Sequence, residues 1–164
     1  MLVPVGIVVL AATLRFADLA TPSRLYFDEV YYANDARSML ETGVEVQRPA
    51  HPPLGKWLIA AGIAVAGFEP MGWRLAGAAA GTLTVLVTYL GAVRLFRRRW
   101  PAALAALLVV FDGLALTMSR IAMLDVFVGL FVATGFWLVV VALDRGRRWV
   151  APLGLAGLAF GAAL

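Results

Sequence analysis

Two adjacent carboxylates, Asp28 and Glu29, stand in the first polar segment of the sequence, with Tyr26, Tyr31 and Tyr32 around them. A carboxylate can act as a general base, and aromatic rings offer faces on which a sugar stacks. The same residues also suit the start of a helix, because Asp28 can cap it and Glu29 favours the positive end of its dipole. The spacing alone does not decide between a catalytic pair and a helix cap.

Three cations border this acidic segment: Arg15, Lys56 and Arg74. The fork of a guanidinium group matches phosphate oxygens, so Arg74 is a candidate for holding a lipid-linked phosphate. An isolated arginine at the end of an apolar helix more often extends to the lipid headgroups. Because all three cations fall at the same predicted membrane depth, the group favours a phosphate site more than any one of them does.

Two further acids, Asp112 and Asp125, lie inside apolar windows, about 9 Å and 6 Å from the outer membrane face at a rise of about 1.5 Å per residue. Intramembrane carboxylates are costly and indicate a function by default. Arg120 is the obvious neutralising partner, so a structural ion pair is an equal alternative. On a regular helix Arg120 and Asp125 point about 140° apart, so direct pairing requires a non-helical turn.

His51 is the single histidine of the sequence and precedes two prolines. In such a setting a histidine is more often an orienting or capping group than a catalyst, and we interpret His51 in that way. A metal site would be built largely from Asp28, Glu29 and Asp125, and oxygen-rich groups of this kind hold Mg²⁺ or Mn²⁺. No spacing demands one, so the sequence predicts no certain cofactor and leaves a divalent metal open.

The composition indicates the environment in which these residues act. Apolar residues make up 62% of the 164 positions and charged residues 15%, and the mean hydropathy is +0.87. If this sequence folded as a soluble protein, it would have too few polar residues to cover its surface. We therefore predict an all-α, polytopic integral membrane protein, and disordered, fibrous and nucleic-acid-binding classes are excluded. The absence of cysteine excludes disulfides.

Several apolar windows match the roughly 20 residues that a membrane-spanning helix needs. The predicted spans are 73–93, 100–118 and 121–143, and we expect 1–20 to be a first span rather than a signal peptide. The window 149–164 is apolar to its last residue and reads as the start of a truncated helix. We therefore expect an N-terminal part of a larger protein, whose native N-terminus lies upstream.

Arginines define the expected orientation. They form two clusters, one of Arg94, Arg97, Arg98 and Arg99 and one of Arg145, Arg147 and Arg148. The positive-inside rule makes both clusters cytoplasmic and makes 21–72 an external loop. Short helices are predicted in that loop at about 29–42 and 53–67, and both are expected to lie at the membrane interface. If 53–67 spanned the membrane instead, the loop would be cytoplasmic.

The candidate residues fall in an ordered set of motifs: Arg15, FDEVYY at 27–32, HPPLGK at 51–56, GWR at 72–74 and SRIAMLD at 119–125. Their order and the predicted topology resemble the protein O-mannosyltransferase family, which are membrane-embedded glycosyltransferases of the GT-C type. The Ala-, Arg- and Val-rich composition resembles actinobacterial members. The resemblance extends over nearly the whole chain.

The resemblance implies a reaction and its partners. Mannose would pass from a polyprenyl-phosphate-mannose lipid to serine or threonine hydroxyls of secreted proteins, with inversion, on the non-cytoplasmic face of the cell membrane. The chain would contact membrane lipids and no nucleic acid. Because the family has more spanning helices than this chain, we expect the chain alone to be inactive.

The resemblance also implies roles for residues. Asp28 would be the catalytic base with Glu29 beside it, while Arg15, Arg74 and Lys56 would surround the donor phosphate. Supporting roles fall to His51, Arg120, Asp125 and Asp112. Two alternatives stay open: a related GT-C enzyme that uses the same donor on a lipid or glycan acceptor, and a transporter fragment whose intramembrane acids form an ion path.

Overall fold

The computed structural model of the protein describes residues 2–45, 51–144 and 149–164. Within these ranges all regular structure is helical, which confirms the predicted all-α class for them. The helices in chain order are α1 (Leu2–Phe16), α2 (Glu29–Thr42), α3 (Pro53–Ala66), α4 (Pro70–Phe96), α5 (Arg99–Phe111), α6 (Gly113–Ser119), α7 (Asp125–Asp144) and α8 (Val150–Ala162). The predicted arginine cluster at Arg145, Arg147 and Arg148 lies outside the described residues.

Among the described residues, two helices, α4 and α7, are long and apolar enough to cross a membrane. Helices α5 and α6 reach that length only together, and they meet at 61°. Helices α1, α3 and α8 are apolar but shorter. The described ranges therefore contain two candidate spans, or three if the bent pair counts as one span.

The window 100–118 is not the single continuous helix that its hydropathy predicts, because the chain breaks at Asp112. There the backbone is extended (φ −63°, ψ 115°), and the carboxylate accepts the N–H of Ala115 at 2.6 Å. A side-chain acceptor at this position satisfies an N–H group that a new helix would otherwise leave free. The acid inside the apolar window is thus the helix cap of α6.

Helix α4 is the central element, since α1, α3, α5 and α7 all pack against it. Small residues on α4 permit the closest of these approaches. A Cβ on Gly72 would lie 2.0 Å from the carbonyl oxygen of Gly67, and a Cβ on Gly81 would lie 2.4 Å from the Cβ of Ser119. The segments that carry the candidate site are therefore held against one continuous helix.

The polar segment between α1 and α4 folds as a second layer, in which α2 packs on α3 and α3 packs on α4. Gly43 ends α2 in a left-handed conformation (φ +76°), which glycine adopts without steric cost. Trp57 and Val65 are exposed on α3. An interfacial position for α3 stays a prediction, which these outward apolar side chains favour.

Candidate active site

The turn before α2 presents Asp28. The N–H of Glu29 donates to the carbonyl of Tyr26 at 3.2 Å, and the Glu29 carboxylate in return accepts the N–H of Tyr26 at 2.9 Å. Phe27, inside this turn, has a φ of +55°, which is a rare conformation for a bulky residue. The turn is therefore tight, strained at Phe27 and closed by the side chain of Glu29.

Asp28 occupies the N-cap position of α2 without capping it through its side chain. Its backbone carbonyl accepts the N–H groups of Tyr31 and Tyr32, at 3.0 Å and 3.2 Å, but its carboxylate makes no cap hydrogen bond. Within the described residues the carboxylate has no hydrogen-bond or ion-pair partner, and the residue is only partly buried. The cap interpretation is wrong for this side chain, which is left with acceptor capacity for chemistry.

Glu29 and Arg74 form a buried, two-pronged ion pair. Nε of Arg74 lies 2.7 Å from Oε1 of Glu29, and Nη2 lies 2.9 Å from Oε2. Both side chains are fully buried. Glu29 also accepts the N–H of Tyr26 and, at 3.0 Å, the N–H of Ala122. The sequence prediction that the acidic pair faces Arg74 thus corresponds to a direct contact through Glu29.

The remaining donors of Arg74 bind backbone carbonyls. Nη1 donates to Leu19 and Pro22, both at 3.0 Å, and Nη2 donates to Arg24 at 3.2 Å. A guanidinium group has five N–H donors, and here all five have acceptors within the chain. A phosphate at Arg74 would have to displace one of them. Its role as a donor-phosphate ligand stays a prediction, and this geometry argues against it.

Lys56 lies between two carboxylates. Its Nζ is 3.1 Å from Oδ2 of Asp35 on α2 and also pairs with Oε2 of Glu45, and the Lys56 side chain is fully buried. Burial by itself lowers the pKa of Lys56, but hydrogen bonds and attraction from Glu45 and Asp35 outweigh it and raise the pKa above its usual value. Contact of Lys56 with a phosphate stays a prediction, since the nearest anions are these acids.

Asp35 is a residue that sequence reasoning missed. Its signal was present, because Asp35 stands three positions after Tyr32 and directly before Ala36, both buried, so it falls on the core-facing side of α2. An acid on such a face requires a buried partner. The sequence did not show that the partner is Lys56 of the neighbouring helix.

Arg15 borders a cavity of about 420 Å³, which Asp112 and Asp125 also line. Its side chain is fully buried, yet its bonds are few: Nη1 donates to Ala11 at 3.4 Å and Nη2 to Val109 at 3.3 Å. Its Nε has no hydrogen-bond partner in the part of the chain that the structure describes. Unlike Arg74, Arg15 therefore has unused donor capacity at the wall of a cavity.

Asp125 is the first residue of α7 and borders two cavities. The second, of about 110 Å³, is also lined by His51. Nε2 of His51 lies 3.5 Å from Oη of Tyr32, and the two rings meet edge to face. The structure therefore brings His51 and Asp125 to one cavity, next to the helix that begins after Asp28.

Arg120 lies at a third cavity, of about 270 Å³, which Tyr26 and Thr117 also line. Its Nη1 donates to the carbonyl of Leu14, the neighbour of Arg15 in the chain. In the described part of the chain Arg120 forms no ion pair with Asp112 or Asp125. The structural ion-pair alternative for these acids is therefore wrong: Asp112 caps α6, and Asp125 faces cavities.

The acids proposed as metal ligands are not gathered in one place. Across residues 2–45, 51–144 and 149–164, no three His, Asp or Glu side chains come close enough together to hold a metal ion. Of the predicted set, Glu29 is already paired with Arg74. Asp28 and Asp125 form no side-chain hydrogen bond or ion pair with any other described residue.

Comparison with known proteins gives the same family from both halves of the sequence. A family model described as dolichyl-phosphate-mannose-protein mannosyltransferase matches residues 50–164, and a second model with that description matches residues 5–73. Together the two matches cover the acidic turn, Lys56, Arg74 and the segment that contains Arg120 and Asp125.

Individual relatives carry related names. The polyprenol-phosphate-mannose–protein mannosyltransferase of Mycolicibacterium smegmatis is 34% identical over 95% of this chain and 35% of its own length. Its Mycobacterium tuberculosis counterpart is 35% identical over 93% of the chain and 31% of its own length. An undecaprenyl phosphate-alpha-4-amino-4-deoxy-L-arabinose arabinosyl transferase of Pseudomonas paraeruginosa is 36% identical over 82% of the chain and 26% of its length. The chain thus spans about a third of the mycobacterial relatives.

Proposed function

This chain belongs to the dolichyl-phosphate-mannose-protein mannosyltransferase family, and on that premise we propose that it carries the catalytic end of a GT-C type protein mannosyltransferase. The donor is a polyprenyl-phosphate-mannose lipid, and the acceptor is a serine or threonine hydroxyl of a secreted protein. The observation that carries the proposal is a pair of open groups: among the described residues, the Asp28 carboxylate has no partner and Nε of Arg15 has none either.

In this proposal Asp28 is the base. As the acceptor oxygen forms its bond to the anomeric carbon, Asp28 takes the hydroxyl proton. The bond between the anomeric carbon and the phosphate oxygen breaks, and its electron pair leaves with the phosphate. The acceptor enters opposite the leaving group, so the anomeric configuration inverts. A phosphate leaving group is already a weak base, so the reaction requires no general acid.

Arg15 is the proposed ligand of the donor phosphate. Burying a guanidinium group whose Nε is unpaired costs free energy, and a bound anion would compensate for that cost. The cavity at Arg15 is lined mainly by apolar side chains, as suits a lipid carrier. Charge on the leaving phosphate grows during the transfer, so a fixed cation there stabilises the transition state more than the ground state.

The other candidates support these two residues. Asp112 shapes the donor cavity by capping α6. Arg120 contacts the same end of α1 as Arg15 and borders the cavity beside Tyr26. His51 and Asp125 share a cavity, and we assign them to the side on which the acceptor enters. Lys56 joins α2 to α3 and so holds the acidic layer together.

The membrane arrangement belongs to the same proposal. Segment 21–72 is external, with α2 and α3 at the interface of the cell membrane, and the arginines at the end of α4 are cytoplasmic. Arg97 and Arg94 at that end pair with Asp144 at the end of α7, at 2.7 Å and 3.6 Å, so α4 and α7 terminate on one side. This fits two parallel spans that both end on the cytoplasmic side, with the acidic turn on the opposite face.

The second candidate function keeps the donor type and changes the acceptor. It is favoured by the arabinosyl transferase relative, whose name describes a different sugar on an undecaprenyl phosphate carrier. In this case the acceptor is a lipid or glycan rather than a protein.

The test uses the full-length protein in membranes, with radiolabelled polyprenyl-phosphate-mannose and either a threonine-containing peptide or a lipid acceptor. We expect label on the peptide, and we expect the transfer rate of Asp28→Asn to be lower by a factor of about a hundred to ten thousand. Asp18→Asn is the matched control, because Asp18 is exposed and asparagine tolerates its left-handed φ of +49°. Label on the lipid alone supports the second function, and an active Asp28→Asn refutes the assigned base.

A further inference from the structure

We infer that Glu29 and Arg74 are positioning residues: their buried pair holds the turn that presents Asp28, and neither side chain contacts the donor or the acceptor. The inference rests on the proposed function, because it names what keeps the base in place. It separates the two adjacent acids, which the sequence treats as a unit, into a base and an anchor.

The first support is that neither partner has spare hydrogen-bonding capacity. Arg74 donates five bonds, two to Glu29 and three to carbonyls, and Glu29 accepts four, two from Arg74 and two from backbone N–H groups. Both side chains are excluded from solvent. A group that reacts with substrate needs an open lone pair or donor, and Asp28 and Arg15 have one where these two do not.

The second support is what the pair connects. Through Glu29 it joins the turn before α2 to Ala122 in the segment between α6 and α7, and through Arg74 it joins both to α4. The three carbonyls that Arg74 binds belong to the segment 19–24, directly before the turn. Three parts of the chain that are distant in sequence therefore meet at one ion pair: residues 19–29, α4 and the segment between α6 and α7.

The third support is the conformation of Phe27. An aromatic residue with a φ of +55° persists only where its surroundings over-determine it. Glu29 binds the N–H of Tyr26 on one side of Phe27, and Arg74 binds the carbonyl of Arg24 slightly further upstream. These bonds hold the backbone before Asp28, and the ion pair with Arg74 holds Glu29 directly after it, while the Asp28 carboxylate takes no part in them.

The consequence is kinetic. If the pair is loosened, Asp28 loses its alignment with the acceptor hydroxyl, and a misplacement of about 1 Å costs about a hundredfold in rate. The donor phosphate is held elsewhere, by Arg15, so its binding is unaffected. The expected signature is a large fall in kcat with an unchanged KM for the donor.

The experiment compares Arg74→Lys and Glu29→Gln in the full-length protein with the unmodified enzyme. Arg74→Lys keeps the charge but loses the five-donor geometry, and Glu29→Gln keeps the shape but loses the charge. We expect kcat per folded molecule to fall by about a hundredfold in each, with a donor KM within about twofold of the original. The pH dependence of the residual rate should stay that of the parent, since Asp28 is still the base.

The chain contains a matched control. Arg37 and Glu41 on α2 also form an arginine–glutamate ion pair, at 2.7 Å. This pair is exposed: the exposed fraction of the side chain is 50% for Arg37 and 57% for Glu41. Arg37→Lys and Glu41→Gln should leave kcat and the donor KM unchanged, because exposed pairs contribute little. The amount of folded protein is measured for every variant by gel filtration in detergent.

Three outcomes overturn the inference. A higher donor KM in Arg74→Lys at unchanged kcat would make Arg74 a phosphate ligand, and a changed pH profile in Glu29→Gln would make Glu29 the base. A normal kcat per folded molecule with less folded protein would reduce the pair to a general structural role. Asp28→Asn, assayed in parallel, separates the proposals: if it stays active the proposed function fails, whereas if it is inactive and Arg74→Lys raises the donor KM, only this inference fails.

Discussion

Nζ of Lys56 on α3 lies 3.1 Å from Oδ2 of Asp35 on α2, with both side chains fully buried, and Glu45 pairs with the same ammonium. The pair fastens the helix that begins after Asp28 to the helix that packs on α4. Removing one partner of a buried ion pair leaves the other charge buried and alone, which costs far more than losing an exposed pair. Lys56 thus adds a buried ionic contact to the apolar packing of α2 on α3.

We expect Lys56→Met to destabilise the full-length protein by about 3–5 kcal/mol, because the buried ammonium that Asp35 and Glu45 both contact is lost. The measurement is the midpoint of thermal unfolding in detergent. Arg37→Met serves as the control, because it breaks an exposed ion pair on α2, the helix that carries Asp35. It should change the free energy of unfolding by less than about 1 kcal/mol. Equal midpoints for the two variants would show that the buried pair adds nothing.

The pH dependence of that stabilisation has a definite sign. Contacts with the two carboxylates hold the folded-state pKa of Lys56 above its usual 10.5. A raised pKa in the folded state means that the contribution of Lys56 is fully present below 10.5 and is lost as the pH rises through the higher, folded value. The difference in stability between the parent and Lys56→Met should therefore be constant through neutral pH and shrink only in strongly alkaline buffer. A shrinking difference near neutral pH would contradict the assignment.

Residue types and order along the chain predicted much of the site, because they restrict which groups can come together. Apolar windows predict helices, and cations that bracket an acidic segment predict a contact such as the one between Glu29 and Arg74. Spacing does not predict which acid of an adjacent pair turns inward. Glu29 turns inward and Asp28 does not, because the longer side chain reaches Arg74 and two backbone N–H groups at once.

The features that sequence reasoning did not reach depend on tertiary contacts. The hydropathy of 100–118 is that of a continuous span, and the structure shows a break where Asp112 accepts the N–H of Ala115. Lys56 was grouped with the phosphate ligands because the sequence shows its charge and not its neighbours. Asp35 and Glu45 lie 21 and 11 positions before it in the chain, and only the packing of α2 on α3 brings them together.

Arg15→Gln should weaken binding of the donor and also lower kcat, because the charge on the leaving phosphate grows in the transition state. Glutamine keeps polar contacts but loses the charge, and a charge-assisted bond to phosphate is worth about 1.5–3 kcal/mol, or roughly tenfold to a hundredfold in affinity. We expect the KM for polyprenyl-phosphate-mannose to rise by that factor in the full-length enzyme. Arg24→Gln is the control, since the Arg24 side chain is exposed and only its backbone carbonyl binds Arg74. Equal donor KM values for the two variants would show that Arg15 does not bind the donor phosphate.

Gly81→Ala should reproduce the effect of changing Arg15 without touching its charge. A Cβ at this position would lie 2.8 Å from Nε of Arg15 and 2.4 Å from Cβ of Ser119, so the guanidinium or the helix has to move. Overpacking of this kind costs about 1–3 kcal/mol. On the same helix a Cβ on Gly91 comes no closer than 3.8 Å to its neighbours, so Gly91→Ala should be neutral or slightly stabilising. Thermal unfolding and the donor KM are measured for both, and a Gly81→Ala enzyme with parental values would show that Arg15 is not held against α4.

Substitution of Asp112 separates a capping acid from a carboxylate that carries protons or ions. The Asp112 side chain accepts the N–H of Ala115, and asparagine can do the same through its amide oxygen, whereas alanine cannot. We expect Asp112→Asn to keep both stability and transfer activity, and we expect Asp112→Ala to lose about 1 kcal/mol of stability and part of its activity as the cavity beside Arg15 changes shape. A protonatable group in an ion path would be lost equally in both variants, because neither asparagine nor alanine ionises. Equal loss of activity in the two variants at unequal stability would therefore reject the cap and revive the carboxylate as a chemical group.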